Sequence, residues 1–279
     1  MSQRVLIAGC GDVGLRVAKQ LLARGDQVWA LRRRLPALDG SGIRWLQGDL
    51  TQPETLRDLP AGITQLVYLP TPDARDPAVY RAVFVDGLRH LLVALDRDTL
   101  DRALFVSSSA VYGEHGDGWV DEQTPPEPPG FNGRVLLEAE QWLVAQPVLS
   151  IVLRLAGLYG PDRLQWVERL RSGAVRVPRE VKHWANRIHV DDAATAIAHL
   201  LALRTPLPLY LGVDDTPLPL DVLYDHLAAL IGAPPPVEGA APPGVGSKRL
   251  SNACLRAGGF VPQWTDAREG YAALLRPAR

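Results

Sequence analysis

The stretch Val5-Leu6-Ile7-Ala8-Gly9-Cys10-Gly11-Asp12-Val13-Gly14 decides the fold. An apolar run leads straight into Gly-x-Gly-x-x-Gly, and a helical pattern follows at once. In that pattern, over residues 14–24, Leu15, Ala18, Leu21 and Leu22 share one face, and Gly25 stands where a helix end favours glycine. Strand, glycine turn and helix in that order give the spacing its meaning. Gly9 permits the tight turn, Gly11 lets a pyrophosphate approach the backbone, and Gly14 lets the helix pack closely on the strand. The helix amide end favours the anion. The turn therefore predicts a dinucleotide site in which Gly9, Cys10, Gly11, Asp12, Val13 and Gly14 surround the pyrophosphate.

Working outward, short apolar runs recur at Val5–Ala8, Val28–Leu31, Gln65–Leu69, Ala103–Val106 and Leu149–Leu155. Near-continuous apolar strands suit a parallel sheet covered on both faces. Helical patterns lie between them, including residues 77–96 and 134–145. The alternation predicts an α/β fold, a Rossmann-type doubly wound parallel sheet. After about residue 160 proline becomes dense, with helical patterns at 191–204 and 220–231 and a Pro/Gly/Ala-rich loop at 233–246 that reads as a mobile segment. Residues 1–160 with about 187–212 are expected to form the dinucleotide-binding domain, and 161–186 with 213–279 a smaller substrate lobe.

The second strand ends in Arg32-Arg33-Arg34. A site selective for a free ribose 2′-hydroxyl usually places Asp or Glu there. Arginine instead suits a 2′-phosphate through charge-assisted hydrogen bonds, so NADP is expected over NAD. Asp49, in Gln47-Gly48-Asp49-Leu50, is positioned to accept a hydrogen bond from an adenine amino group.

Composition narrows the alternatives. The 279 residues carry a net charge of −1, which gives no excess field for nucleic acid or an anionic membrane. No apolar stretch approaches a membrane span, and the N-terminal apolar stretch is too short for a signal peptide. Two cysteines, Cys10 and Cys254, make no framework and fit a reducing, cytoplasmic setting. The six histidines show no metal-ligand spacing, so no metal is expected. Among 30 basic residues only Lys19, Lys182 and Lys248 are lysines, which makes any lysine-dependent mechanism easy to check.

Several segments in order carry a family resemblance. These are the glycine turn, Gly48-Asp49-Leu50, Phe105-Val-Ser-Ser108-Ser-Ala-Val-Tyr112-Gly113, Leu153-Arg154-Leu-Ala-Gly157-Leu-Tyr159-Gly160-Pro161, and Arg187-Ile-His189-Val-Asp191-Asp192. Over nearly its whole length the chain resembles the extended short-chain dehydrogenase/reductases, in particular the NAD-dependent epimerase/dehydratase family, as an atypical member with the first glycine spacing one residue shorter. The resemblance implies that Leu50, Leu69, Ser107, Leu155 and Ala156 border the cofactor. It also implies that the segments around Ser108 and Tyr159 border the nicotinamide, and that members pair as homodimers through helices corresponding to 77–96 and 134–145.

The catalytic pattern departs from the family's. Ser108 matches its serine, but its Tyr-x-x-x-Lys aligns on Asn132 and Leu136, and no lysine lies between Lys19 and Lys182. An unassisted tyrosine of pKa ~10 is roughly 0.1% ionised at pH 7, so losing the pair removes the general acid/base. The candidates left are Ser108, Tyr112 and His115 for catalysis, and Tyr112, Arg154, Gly157, Tyr159, Lys248 and Arg249 for substrate. Lys248-Arg249 reads first as a solvated basic pair and otherwise as one that meets an anionic substrate. The expected activity is that of an NADP-dependent oxidoreductase or epimerase/dehydratase-like enzyme on a small molecule, a nucleotide sugar or another hydroxylated or carbonyl compound. The alternatives are a non-catalytic dinucleotide sensor and, more remotely, a cofactor-independent enzyme.

Overall fold

The apolar runs become strands because both of their faces are covered: Val5, Leu6, Ile7 and Ala8 are all fully buried. Seven strands form one parallel sheet: β1 (Arg4–Ala8), β2 (Gln27–Arg32), β3 (Arg44–Gln47), β4 (Gln65–Tyr68), β5 (Arg102–Ser108), β6 (Leu149–Leu155) and β7 (Leu209–Gly212). Their spatial order is β7-β6-β5-β4-β1-β2-β3. The structure, a computed structural model, describes residues 2–37, 40–242 and 244–276.

Helix α1 (Asp12–Ala23) links β1 to β2. Between β4 and β5 the chain runs through α2 (Pro77–Arg81) and α3 (Gly87–Ala94), and α4 (Phe131–Val144) links β5 to β6. Strand order reverses between β1 and β4, so right-handed crossovers place α1 on one face of the sheet and α2–α4 on the other. After α5 (Gln165–Arg171), helix α6 (Val190–Ala202) packs along α1, where Gln20 Nε2 donates to Thr195 Oγ1 at 3.1 Å.

The helical pattern at 77–96 is interrupted by a π-helical stretch, Ala82–Asp86. The Tyr68 hydroxyl explains it. It donates to the Val83 carbonyl at 2.5 Å, competing for the acceptor that an α-turn would give to the Gly87 N–H. The widened turn carries Val83 and Phe84 to the mouth of the glycine turn.

Two apolar clusters lie side by side. The larger fills both faces of the sheet. The smaller gathers Tyr159, Val167, Leu170, Leu223, Tyr224 and Tyr271 around α5, α7 (Leu220–Leu230) and, after the short α8 (Ala253–Ala257), α9 (Ala267–Leu275). Leu250, Leu255 and Phe260, expected in the substrate lobe, pack instead with the sheet's cluster. The loop at 233–246 is also more ordered than its composition suggests. Val237–Glu238 pairs in parallel with Arg176–Val177 as a short strand, while Pro243 lies outside the described residues.

Candidate active site

The reversal of strand order puts the loops after β1 and β4 on either side of one crevice, the usual ligand position in such sheets. Gly9 takes φ +88°, and a Cβ there would overlap the Pro70 backbone, so the two loops touch at glycine. Gly11 is different. A Cβ there would meet nothing within 4 Å, and α1 begins with no side-chain cap. The turn thus leaves open space before unpaired helix N–H groups, and this chain fits a pyrophosphate there. Cys10 is buried, and burial pushes its thiol up to about 12, which keeps it unreactive.

From Gly11 the cleft extends both ways. Towards β2 lies a cavity of about 320 Å³ bordered by Arg32, Arg33, Asp49, Leu50 and the loop Pro70–Asp73. Arg33 grips the Asp73 carboxylate with both terminal nitrogens, and the hydrogen bonds raise its pKa further. Arg32 lies over the Trp45 ring at 5.9 Å. Asp49 Oδ1 accepts from the Thr51 N–H at 2.9 Å and the Thr51 hydroxyl at 2.8 Å, which fixes the turn after β3.

Towards β5 and β6 lies a cavity of about 420 Å³. Gly9, Gly11, Asp12, Val13, Gly14, Leu69, Ser107, Ser108 and Leu155 border it, together with Asn132, Leu136 and Arg163. Asn132 and Leu136, on which the Tyr-x-x-x-Lys pattern is expected to align, thus border this cavity and carry no titratable group. Arg163 Nε donates to Asp12 Oδ2 at 3.2 Å, bridging the cavity's mouth, and Arg16 holds the other Asp12 oxygen at 2.8 Å.

A third cavity, about 260 Å³, adjoins the second at Ser108 and Asn132. Tyr112, Ala156 and Gly157 border it, with Arg75, Trp184, Asn186, Arg187 and Lys248. Ser108, at the end of β5, accepts from the Ala110 N–H at 3.2 Å, so its hydroxyl proton stays available at the junction.

Several expected site residues are committed elsewhere. Tyr112 is fully buried. Its hydroxyl donates to the Asp121 carbonyl at 3.0 Å and accepts from Arg154 at 2.7 Å, and burial raises its pKa, so the phenol's proton is already committed. Arg154 is itself spent: its guanidinium grips Glu140 at 2.5 Å and both are buried, with Ser107 donating to the same carboxylate. Tyr159 stacks on Tyr271 with centroids 4.5 Å apart in the smaller apolar cluster, and its hydroxyl lies away from all three cavities. His115 borders none of these cavities; its backbone N–H anchors the Ser247 carbonyl at 2.8 Å. Arg249 is sandwiched between the Trp119 and Trp184 rings, with its head on the Asp117 carbonyl.

Sequence reading missed Arg75, Arg163, Asn186 and Asp73. Arg75 and Asp73 lie directly after β4, where the switch-point rule alone would have directed attention. Arg163 and Asn186 carry no comparable signal.

Residues 5–207 match the model of the NAD dependent epimerase/dehydratase family. The chain is 30% identical over 240 residues to Protein YeeZ of Escherichia coli K12, covering 84% of this chain and 86% of that one. It is 24% identical over 254 residues to 2-alkyl-3-oxoalkanoate reductase of Stenotrophomonas maltophilia, covering 83% of this chain and 76% of the relative. Among solved structures, a Methylobacillus flagellatus protein provisionally assigned as an NAD-dependent epimerase/dehydratase superposes with a TM-score of 0.82 at 40% identity, covering 99% and 98% of the two chains. MoeE5, solved with UDP-glucuronic acid and NAD, superposes with a TM-score of 0.79 at 25% identity over 96% of each chain. With its glycine turn, switch-point crevice and family match in register, the chain belongs to the NAD dependent epimerase/dehydratase family.

Proposed function

We propose that this chain is an NADP(H)-dependent reductase of a small carbonyl compound, working without a Tyr-x-x-x-Lys pair. The observation that carries the cofactor choice is the end of β2, where Arg32 and Arg33 border the cavity and no acid stands on the strand. Arg33 already holds a carboxylate in both arms of its fork, the geometry in which it would hold a 2′-phosphate. The reductase direction draws on relatives named as reductases, the 2-alkyl-3-oxoalkanoate reductase among them.

When bound, the reduced nicotinamide supplies a hydride; the chain's own residues do the rest. The open turn at Gly11 and the first amides of α1 hold the pyrophosphate. Ser108, at the junction of two cavities, donates a hydrogen bond to the substrate oxygen and orients it. We further infer a cytoplasmic protein, paired as a homodimer through α2–α3 and α4, where Val93 and Val144 are exposed. Among the described residues no helix is long and apolar enough to cross a membrane.

A second reading, a non-catalytic dinucleotide sensor, is favoured by one observation: Asn132 and Leu136 face the cofactor cavity where the family has its acid/base. Absorbance at 340 nm separates the two. A reductase consumes NADPH when offered short 3-oxo acids, whereas a sensor binds NADPH and leaves it unchanged across the series.

A further inference from the structure

The third cavity has an unusual charge balance. Arg75, Arg187 and Lys248 border it, and among the described residues no Asp or Glu does. Of the three cations, Lys248 is the one driven deepest, at 4% exposure. Its ammonium donates to the Gly246 carbonyl at 3.0 Å and the Tyr112 carbonyl at 3.3 Å. An ammonium has three protons, so one donor remains for the cavity.

The backbone holds it there. Gly246 lies so close to the Gly113 carbonyl that a Cβ would overlap it. Asn186 clamps the segment from the other side, donating to the Lys248 carbonyl and accepting from the Leu250 N–H, both at 2.9 Å. Glu114, the nearest acid, spends its carboxylate on the Ser247 N–H at 2.7 Å and the Gly116 N–H at 2.9 Å rather than on the ammonium. An uncompensated buried ammonium is costly, and a structural role would be served as well by a neutral donor.

We propose that Lys248 is the catalytic cation of this cavity, holding and protonating the carbonyl oxygen of an anionic carbonyl substrate whose carboxylate or phosphate lies towards Arg187 and Arg75. The assignment rests on the reductase reading above. As the carbonyl carbon gains a hydride, the C=O π pair moves to oxygen, which takes a proton from Nζ; the neutral amine is then reprotonated by water. Burial lowers the Lys248 pKa to about 8, partly offset by Glu114, while the neighbouring His183, Arg75 and Arg187 add no negative charge. Both protonation states are thus within reach near neutrality, as proton transfer requires. Lys19 and Lys182 are exposed and serve as internal controls.

Pyridoxal 5′-phosphate, an anionic aldehyde, tests this without knowledge of the substrate. It forms an imine with a neutral amine, releasing water, and borohydride fixes the adduct for peptide mass analysis. At pH 8 the label is expected on Lys248 at least about tenfold above Lys19 and Lys182, because burial favours the neutral amine at Lys248. Labelling should rise with a midpoint near pH 8. Acetoacetate or inorganic phosphate should protect Lys248, each reporting one type of anionic group, and neutral acetone should not. K248R should lose the label and keep NADPH affinity, which separates this proposal from the cofactor reading: absent NADPH binding in the wild type would sink that reading alone. Equal labelling of the three lysines, no label on Lys248, or a label that neither anion protects would overturn the role assigned to Lys248.

Discussion

The cleft at the glycine turn and the third cavity meet at Ser108 and Asn132, yet they are built by different means. At the centre of the cleft lie backbone segments: a glycine turn, the first turn of α1 and the loop after β4. The cavity is made of side chains brought from separated segments, Arg75, Ser108 to Tyr112, Gly157, Trp184 to Arg187 and Lys248. A backbone site tolerates no added volume but needs few particular side chains. A side-chain site depends on how each polar group is partnered.

That contrast sets the expected order of effects. The largest is Gly11→Val, which should abolish NADPH binding in calorimetry while thermal unfolding stays close to wild type, since a side chain there enters only open space. Normal binding by this variant would make the turn merely structural. Next is Glu140→Gln, behind the cavity. It leaves Arg154 buried without its counter-charge and should cost about 3–5 kcal/mol in urea unfolding. A cost under about 1 kcal/mol would mean that the pair is solvated. Smaller again is Arg33→Ala, which should weaken NADPH by about 1.5–3 kcal/mol and leave NADH nearly unchanged. Equal losses for both would remove Arg33 from 2′-phosphate recognition. The smallest is Asp73→Asn. It releases Arg33 from an exposed partner and should tighten NADPH only slightly, with no change for NADH. Weaker NADPH binding would show that Asp73 itself supports the site.

The same contrast explains what the sequence disclosed. The sheet and the cofactor cleft were legible because local signals specify them: apolar runs for buried parallel strands, glycines where backbone must pass closely, arginines at the end of β2. Gly9, Asp12, Val13, Gly14, Leu69, Ser107 and Leu155 all border one cavity beside the glycine turn. The substrate side was harder to read. Tyr112 and Arg154 have the chemistry of an active site, but Arg154 is held by Glu140 and donates to the Tyr112 hydroxyl, a pairing across 42 residues that no local pattern encodes. Tyr159 follows a strand end yet turns into the second apolar cluster, because Tyr271 from the last helix stacks on it. Lys248 looked like half of a solvated Lys-Arg pair. Its neighbour Arg249 is stacked between tryptophans while Lys248 points inward, and only the clamp at Asn186 and Gly113 sets that alternation.

Calorimetric titration of the wild-type protein with NADPH and with NADH, at one pH and low salt, tests the central claim most directly. With Arg32 and Arg33 at the end of β2 and no acid on the strand, NADPH should bind at least about tenfold more tightly, the equivalent of one charge-assisted hydrogen bond to the 2′-phosphate. Equal affinities, or tighter binding of NADH, would contradict it.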